Sequence, residues 1–162
     1  HALEQGPSLV RWVTAVGGFL GATGGFALCF YSLYSWPLVI GGKSMGGRVA
    51  SMVADELFAE GRIAGLLCLG YPFHPPGQPD KLRVAHLETL KTPEMILQGE
   101  RDAFGTREEI ARYPLSKKIR ILFLADGDHS FKPRAASGRT EKQNLDEAIA
   151  AAAAFLRGLP AA

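Results

Sequence analysis

Only two cysteines, no run of five or six like charges and no glycine fingerprint for a nucleotide set the first limits on this sequence. Cys29 and Cys68 stand in unlike surroundings and form neither a CxxC pair nor a Cys/His spacing. That excludes a zinc framework and a disulfide scaffold, and we read both as reduced, buried thiols of a cytoplasmic protein. The formal net charge is +2, with the basic residues scattered along the chain, so no nucleic-acid footprint is expected. No G-x-G-x-x-G opens a helix, which argues against dinucleotide binding. Gly42-Lys43-Ser44 resembles the end of a phosphate-binding loop, and Asp126 ends an apolar run as a magnesium-binding aspartate would. Yet the glycine such a loop needs at position 37 is Pro37, and the run up to Gly41 leaves no loop to wrap phosphates.

Charge is also missing from Trp12 to Gly42. An uncharged stretch of that length could cross a bilayer. It carries Gly17, Gly18, Gly21, Gly24 and Gly25 together with Thr14, Thr23, Ser32 and Ser35, and Arg11 alone flanks it. A span or a secretory leader would want basic flanks and fewer breakers. We therefore read residues 1–36 as an atypical apolar, glycine-rich segment that covers the sheet or is foreign to the fold, in preference to a membrane anchor.

From Pro37 the pattern becomes regular. Short apolar runs at Pro37–Gly41, Ala64–Gly70, Glu94–Gly99 and Ile119–Ala125 read as strands. Between them, Met45–Glu60, Lys81–Leu90 and Thr106–Tyr113 read as helices, and Glu141–Leu156 closes the chain as another. In the first helix the apolar spacing falls on Val49, Met52, Val53 and Leu57. In the third, Thr106 is the expected N-cap, with Glu108 and Glu109 in the first turn. Strands apolar on both faces that alternate with helices predict an α/β fold, a mostly parallel sheet covered on both sides, over residues 37–158. Four strands make a small sheet, so the N-terminal strands of a larger one are expected to be missing or replaced.

Gly42-Lys43-Ser44-Met45-Gly46 fits G-x-S-x-G between a strand and a helix. Such a turn lifts a serine hydroxyl to the carboxyl end of the sheet, and small neighbours let it close. The competing reading is a serine that merely caps the helix. Two further loops leave carboxyl ends of strands: Asp102 follows Glu94–Gly99, and His129 follows Ile119–Ala125. A nucleophile needs a base, and the base needs a carboxylate to fix its tautomer. Parallel strands would bring Ser44, His129 and Asp102 to one side. Asp102 could instead cap the next helix, Glu100 is the nearest substitute acid, and Asp126 and Asp128 are expected to shape the turn before His129. The amide of Met45 would face a developing oxyanion. Tyr71, Phe73 and His74, in a proline-rich loop, are candidates for walling an acyl pocket. Lys43 and Arg48 flank the turn and could favour an anionic substrate, although solvated surface charges explain them as well. His86 is expected on a helix surface.

Four blocks, Gly41 to Arg48, Gly70 to Pro75, Gln98 to Asp102 and Asp126 to Phe131, together resemble bacterial α/β-hydrolases of the dienelactone-hydrolase-like kind. The resemblance spans Pro37 to about Leu156, and the order serine, aspartate, histidine agrees with it. It implies Ser44, Asp102 and His129 as a triad and Met45 as one oxyanion donor. In that family an earlier glycine-containing loop supplies the second donor, and nothing in residues 1–36 reads as that loop. The expected function is a serine hydrolase cleaving an ester, thioester or related acyl bond of a small molecule, with no metal or organic cofactor. The alternative is a catalytically inactive, hydrolase-like binding or scaffold protein.

Overall fold

Apolar runs that alternate in which face they present set the sheet. In the computed structural model, which describes residues 38–160, β1 is Val39–Lys43, β2 Gly65–Leu69, β3 Glu94–Gly99 and β4 Ile119–Leu124. The reading of residues 1–36 and the placement of Cys29 lie outside the described residues. The strands pair in parallel in the order β1-β2-β3-β4, so each neighbour in sequence is a neighbour in space. This confirms the α/β class and the parallel sheet.

Among the described residues three α-helices accompany the sheet: α1 at Met45–Ala59, α2 at Arg107–Ile110 and α3 at Glu141–Arg157. Ile40, Leu66, Cys68 and Ile96 turn to one face of the sheet, where Ala50 and Ala54 of α1 pack. Val39, Leu67, Leu69, Leu97 and Leu124 turn to the other, against Ala148 of α3. A two-residue period through parallel strands thus feeds two cores, one under each layer of helices.

Two expected helices are corrected, and the first helix buries a face that its apolar spacing does not mark. The helix at α1 forms, but its buried residues are Gly46, Gly47, Ala50, Ser51 and Ala54, while Met45, Val49, Met52 and Val53 are exposed. The helix approaches the sheet so closely that a β-carbon on Gly47 would lie 2.8 Å from the Gly42 carbonyl oxygen. Only small residues fit there; Met45, Val49, Met52 and Val53 turn outward, while Leu57 and Phe58 near the helix end still pack on the core.

The segment Lys81–Leu90 is not an α-helix but a loop with one 3-10 turn at Ala85–Leu87. Its buried residues Val84, Leu87 and Leu90 recur every three positions, the 3-10 period. Asp55 of α1 anchors the loop by accepting from the amides of Lys91 and Thr92 and from the Thr92 hydroxyl at 2.7 Å. The helix expected over Thr106–Tyr113 is limited to Arg107–Ile110, although Thr106 and Glu109 form the full capping box at its start. Pro114 disfavours helical backbone at Tyr113 and ends the segment.

Among the described residues no helix is long and apolar enough to cross a membrane, and no group of three metal-binding side chains occurs.

Candidate active site

The turn from β1 into α1 is one residue long, and that residue is Ser44. Its backbone sits at φ 52°, ψ −121°, and its side chain makes no capping hydrogen bond. A serine serving as N-cap has extended backbone and an oxygen turned back onto the helix amides. Ser44 has neither, so the capping reading is excluded. Its N–H donates instead to the Leu69 carbonyl at 2.9 Å, pinning the turn to the end of β2. Met45 is the first residue of α1, where amides have no carbonyl partner within the helix and the dipole is positive.

Asp102 and His129 meet across the ends of β3 and β4. Asp102 is fully buried. One carboxylate oxygen, Oδ1, accepts from the Phe104 amide at 2.9 Å. The other, Oδ2, accepts from Gln98 Nε2 at 2.9 Å and lies 2.8 Å from His129 Nδ1. A carboxylate only accepts, so Nδ1 carries the proton and Nε2 is left as the lone-pair nitrogen. The His129 ring also packs beside the Phe104 ring, with centroids 4.4 Å apart.

The loop that presents His129 is held from several sides. Gly99 lies so close beneath it that a β-carbon there would be 2.2 Å from the Asp128 carbonyl oxygen. Asp128 accepts from the amides of Ser130 and Lys132, closing the turn around the histidine. Asp126 pairs with Arg134 and with Arg101, and the Arg134 hydrogen bonds pull its carboxyl down to about 2. Glu100 accepts from the Asp126 amide at 2.9 Å and pairs with Arg107, the first of these contacts lowering its carboxyl. Asn144 of α3 is fully buried and donates to the carbonyls of Ala125 and Phe131. Its place on the last helix, far from the motifs, hid this role from sequence reasoning.

The serine turn and the histidine loop adjoin. Ser44 is tied to Leu69, and a β-carbon on the next residue, Gly70, would lie 3.1 Å from the His129 ring. Lys43 Nζ donates to Ser130 Oγ at 3.3 Å, linking the residue before Ser44 to the residue after His129. Ser44 and His129 themselves are not hydrogen-bonded to one another. Hydroxyl–imidazole contacts of this kind commonly tighten only when substrate is bound.

With this geometry in place, similarity to known proteins decides the ancestry. The family described as the alpha/beta hydrolase domain matches residues 27–157. The chain belongs to the alpha/beta-hydrolase family. Its fold is shared with an alpha-beta serine hydrolase homologue from Coxiella burnetii, at TM-score 0.51 and 16% identity over 94% of this chain. It is shared also with the esterase domain of a Rhodothermus marinus protein, at TM-score 0.50 and 14% identity over 74% of this chain. The chain spans 55% and 59% of the lengths of those two.

In this member of the alpha/beta-hydrolase family the proline-rich loop sends its candidate side chains inward. Tyr71 and Phe73 have no exposed surface and pack on one another, ring centroids 4.9 Å apart, with Phe73 also against Tyr113. Their side chains belong to the core cluster under the site. His74 is buried as well, bonded through Nδ1 to the Pro75 carbonyl and 3.4 Å from Glu109 Oε2 through Nε2. It ties the loop to the α2 capping box. Aromatic residues in a glycine-bounded loop read equally as pocket wall or as core, and only the packing separates the two. Lys43 alone of the substrate candidates is beside Ser44 with its side chain in solvent reach.

His86 is half-buried on a 3-10 turn and does not stand on an α-helix surface. Its Nε2 lies 2.8 Å from Ser51 Oγ and 3.3 Å from the Tyr71 hydroxyl, and burial lowers its basicity. Ser51 Oγ donates its one proton to the Arg48 carbonyl at 2.7 Å, so the hydroxyl can only accept from His86.

Proposed function

We propose that the chain is a serine hydrolase that cleaves an ester, thioester or related acyl bond of a small molecule through an acyl-enzyme on Ser44. The observation that carries the reading is the pairing of a serine in left-handed backbone at a strand–helix turn with a neighbouring histidine whose tautomer is fixed by a buried carboxylate.

The chemistry follows from those positions. Ser44 Oγ attacks the acyl carbon as His129 Nε2 takes its proton, and Asp102 stabilises the imidazolium so formed. The carbonyl oxygen gains charge in front of the Met45 amide, at the positive end of α1. His129 returns the proton to the leaving alcohol or thiol, and water reverses the sequence to free the acid. No metal or organic cofactor enters these steps. Lys43 is the cation nearest the turn and would favour an anionic acyl substrate. The free, fully buried thiol of Cys68 supports a cytoplasmic setting.

Hydrolysis of p-nitrophenyl esters of graded acyl length tests the reading. Parent protein is expected to turn over one length class, and Ser44→Ala and His129→Ala each to lose about 10⁴-fold or more. Equal activity in parent and Ser44→Ala would refute it. The second reading, a hydrolase-like fold that binds without turnover, draws on the missing Ser44–His129 hydrogen bond. It expects folded parent protein with no esterase activity on any acyl length.

A further inference from the structure

Gln98 makes contacts that neither its place on a buried strand nor the triad chemistry calls for. It is the fifth residue of β3, fully buried, with its side chain on the face away from α3. Its Oε1 accepts from the Tyr71 amide at 2.8 Å. Its Nε2 stands within reach of three acceptors: Asp102 Oδ2 at 2.9 Å, Gly105 carbonyl at 3.2 Å and Tyr71 carbonyl at 3.3 Å. One amide thus bridges the loop after β2, where Gly70 adjoins the His129 ring, and the loop after β3, which carries Asp102.

We propose that Gln98 is the positioning residue of the site: its Nε2–H holds Asp102 Oδ2 in the orientation that receives His129 Nδ1. This rests on the triad reading above. The carboxylate has two oxygens and two tasks. Oδ1 is fixed by the Phe104 amide, and Oδ2 must point out of the loop towards the histidine. Among the described residues the Gln98 amide is the donor other than His129 that meets Oδ2. Without it the carboxylate can rotate about its own bond and lose the imidazole, while the fold around it survives. The Oε1 end reads the Tyr71 amide, so the glutamine cannot flip its amide without facing Oε1 against a carboxylate. Its orientation is therefore set by the partners at both ends.

The test compares the 162-residue chain with its Gln98→Met and Gln98→Glu variants. The readouts are the rate of fluorophosphonate labelling at Ser44, ester turnover, and the downfield proton resonance of His129 Nδ1. Gln98→Met keeps the volume and removes the donor. Labelling and kcat should fall about 10- to 100-fold with KM within twofold, and the downfield resonance should shift or vanish. Gln98→Glu keeps the acceptor for the Tyr71 amide but sets a carboxyl against Asp102. A shared proton restores the bond at low pH, and two like charges face each other at high pH. The ratio of variant to parent kcat should therefore fall as pH rises, which a role confined to packing would not produce. If Gln98→Met does not fold, the pH dependence of Gln98→Glu carries the test. Parent labelling with an unchanged rate and resonance in a folded Gln98→Met, or a flat ratio in Gln98→Glu, overturns the positioning role and leaves the triad standing. A folded parent that does not label at Ser44 overturns both.

Discussion

Ser44 is held at φ 52°, a conformation that costs a residue bearing a β-carbon roughly 1–3 kcal/mol. The side chain makes no capping bond to offset that cost, and the backbone bond to Leu69 does not depend on the side chain. Stability and chemistry are therefore opposed at this position. Ser44→Gly should raise the free energy of unfolding by about 1 kcal/mol in a denaturant titration while abolishing reaction at the site. A loss of stability on that substitution would mean that the backbone is not strained.

Glu94 is the second residue out of balance. It is fully buried on β3 with both carboxylate oxygens unpaired, and burial pushes its carboxyl up to about 8, with the Cys68 thiol beside it easing the charge slightly. An acid whose folded-state value is raised keeps its full stability below its ordinary value of 4.5 and loses it as pH climbs through 8. Glu94→Gln removes that slope. The variant should match the parent near pH 5 and exceed it by on the order of a few kcal/mol at pH 9. Parallel stability curves from pH 5 to 9 would count against a buried, neutral Glu94.

At the scale of elements, α1 shows what periodicity can and cannot tell. The helix was legible from the spacing of Val49, Met52, Val53 and Leu57, but the face it buries was not. Large apolar residues normally mark the buried stripe. Here the serine turn draws the helix start against β1 and β2, and contact at that range admits only Gly46, Gly47, Ala50, Ser51 and Ala54. The consequence can be measured by a pair of substitutions. Ala54→Leu overpacks a fully buried position and should cost about 1–3 kcal/mol, while Met52→Lys at a position 58% exposed should stay within about 0.5 kcal/mol. The reverse ranking would put the other face of α1 against the sheet. The 3-10 turn at Ala85–Leu87 was misread for a related reason. Three apolar residues at intervals of three fit a short α-helix almost as well, and the Asp55 anchor that fixes the loop comes from a distant element.

For the molecule as a whole, the parallel sheet was legible because each strand is an apolar run followed by a helix or a loop. The same topology made the juxtaposition of the candidate residues legible. Ser44, Asp102 and His129 each follow a strand, and parallel strands deliver their loops to one end. What the sequence did not disclose is the support. Gln98 and Asn144 are ordinary polar residues with no motif of their own, and their meaning comes from carbonyls and carboxylates contributed by other segments. Tyr71 and Phe73 belong to the core for the same reason, since the neighbours that enclose them arrive from elsewhere in the chain.

Intact-mass analysis after reaction with a fluorophosphonate tests most directly whether His129 and Asp102 activate Ser44. A single adduct on the parent and none on Ser44→Ala is the expected result, with labelling slowed strongly in Asp102→Asn. Absence of adduct on folded parent, or an adduct that persists in Ser44→Ala, would contradict that activation.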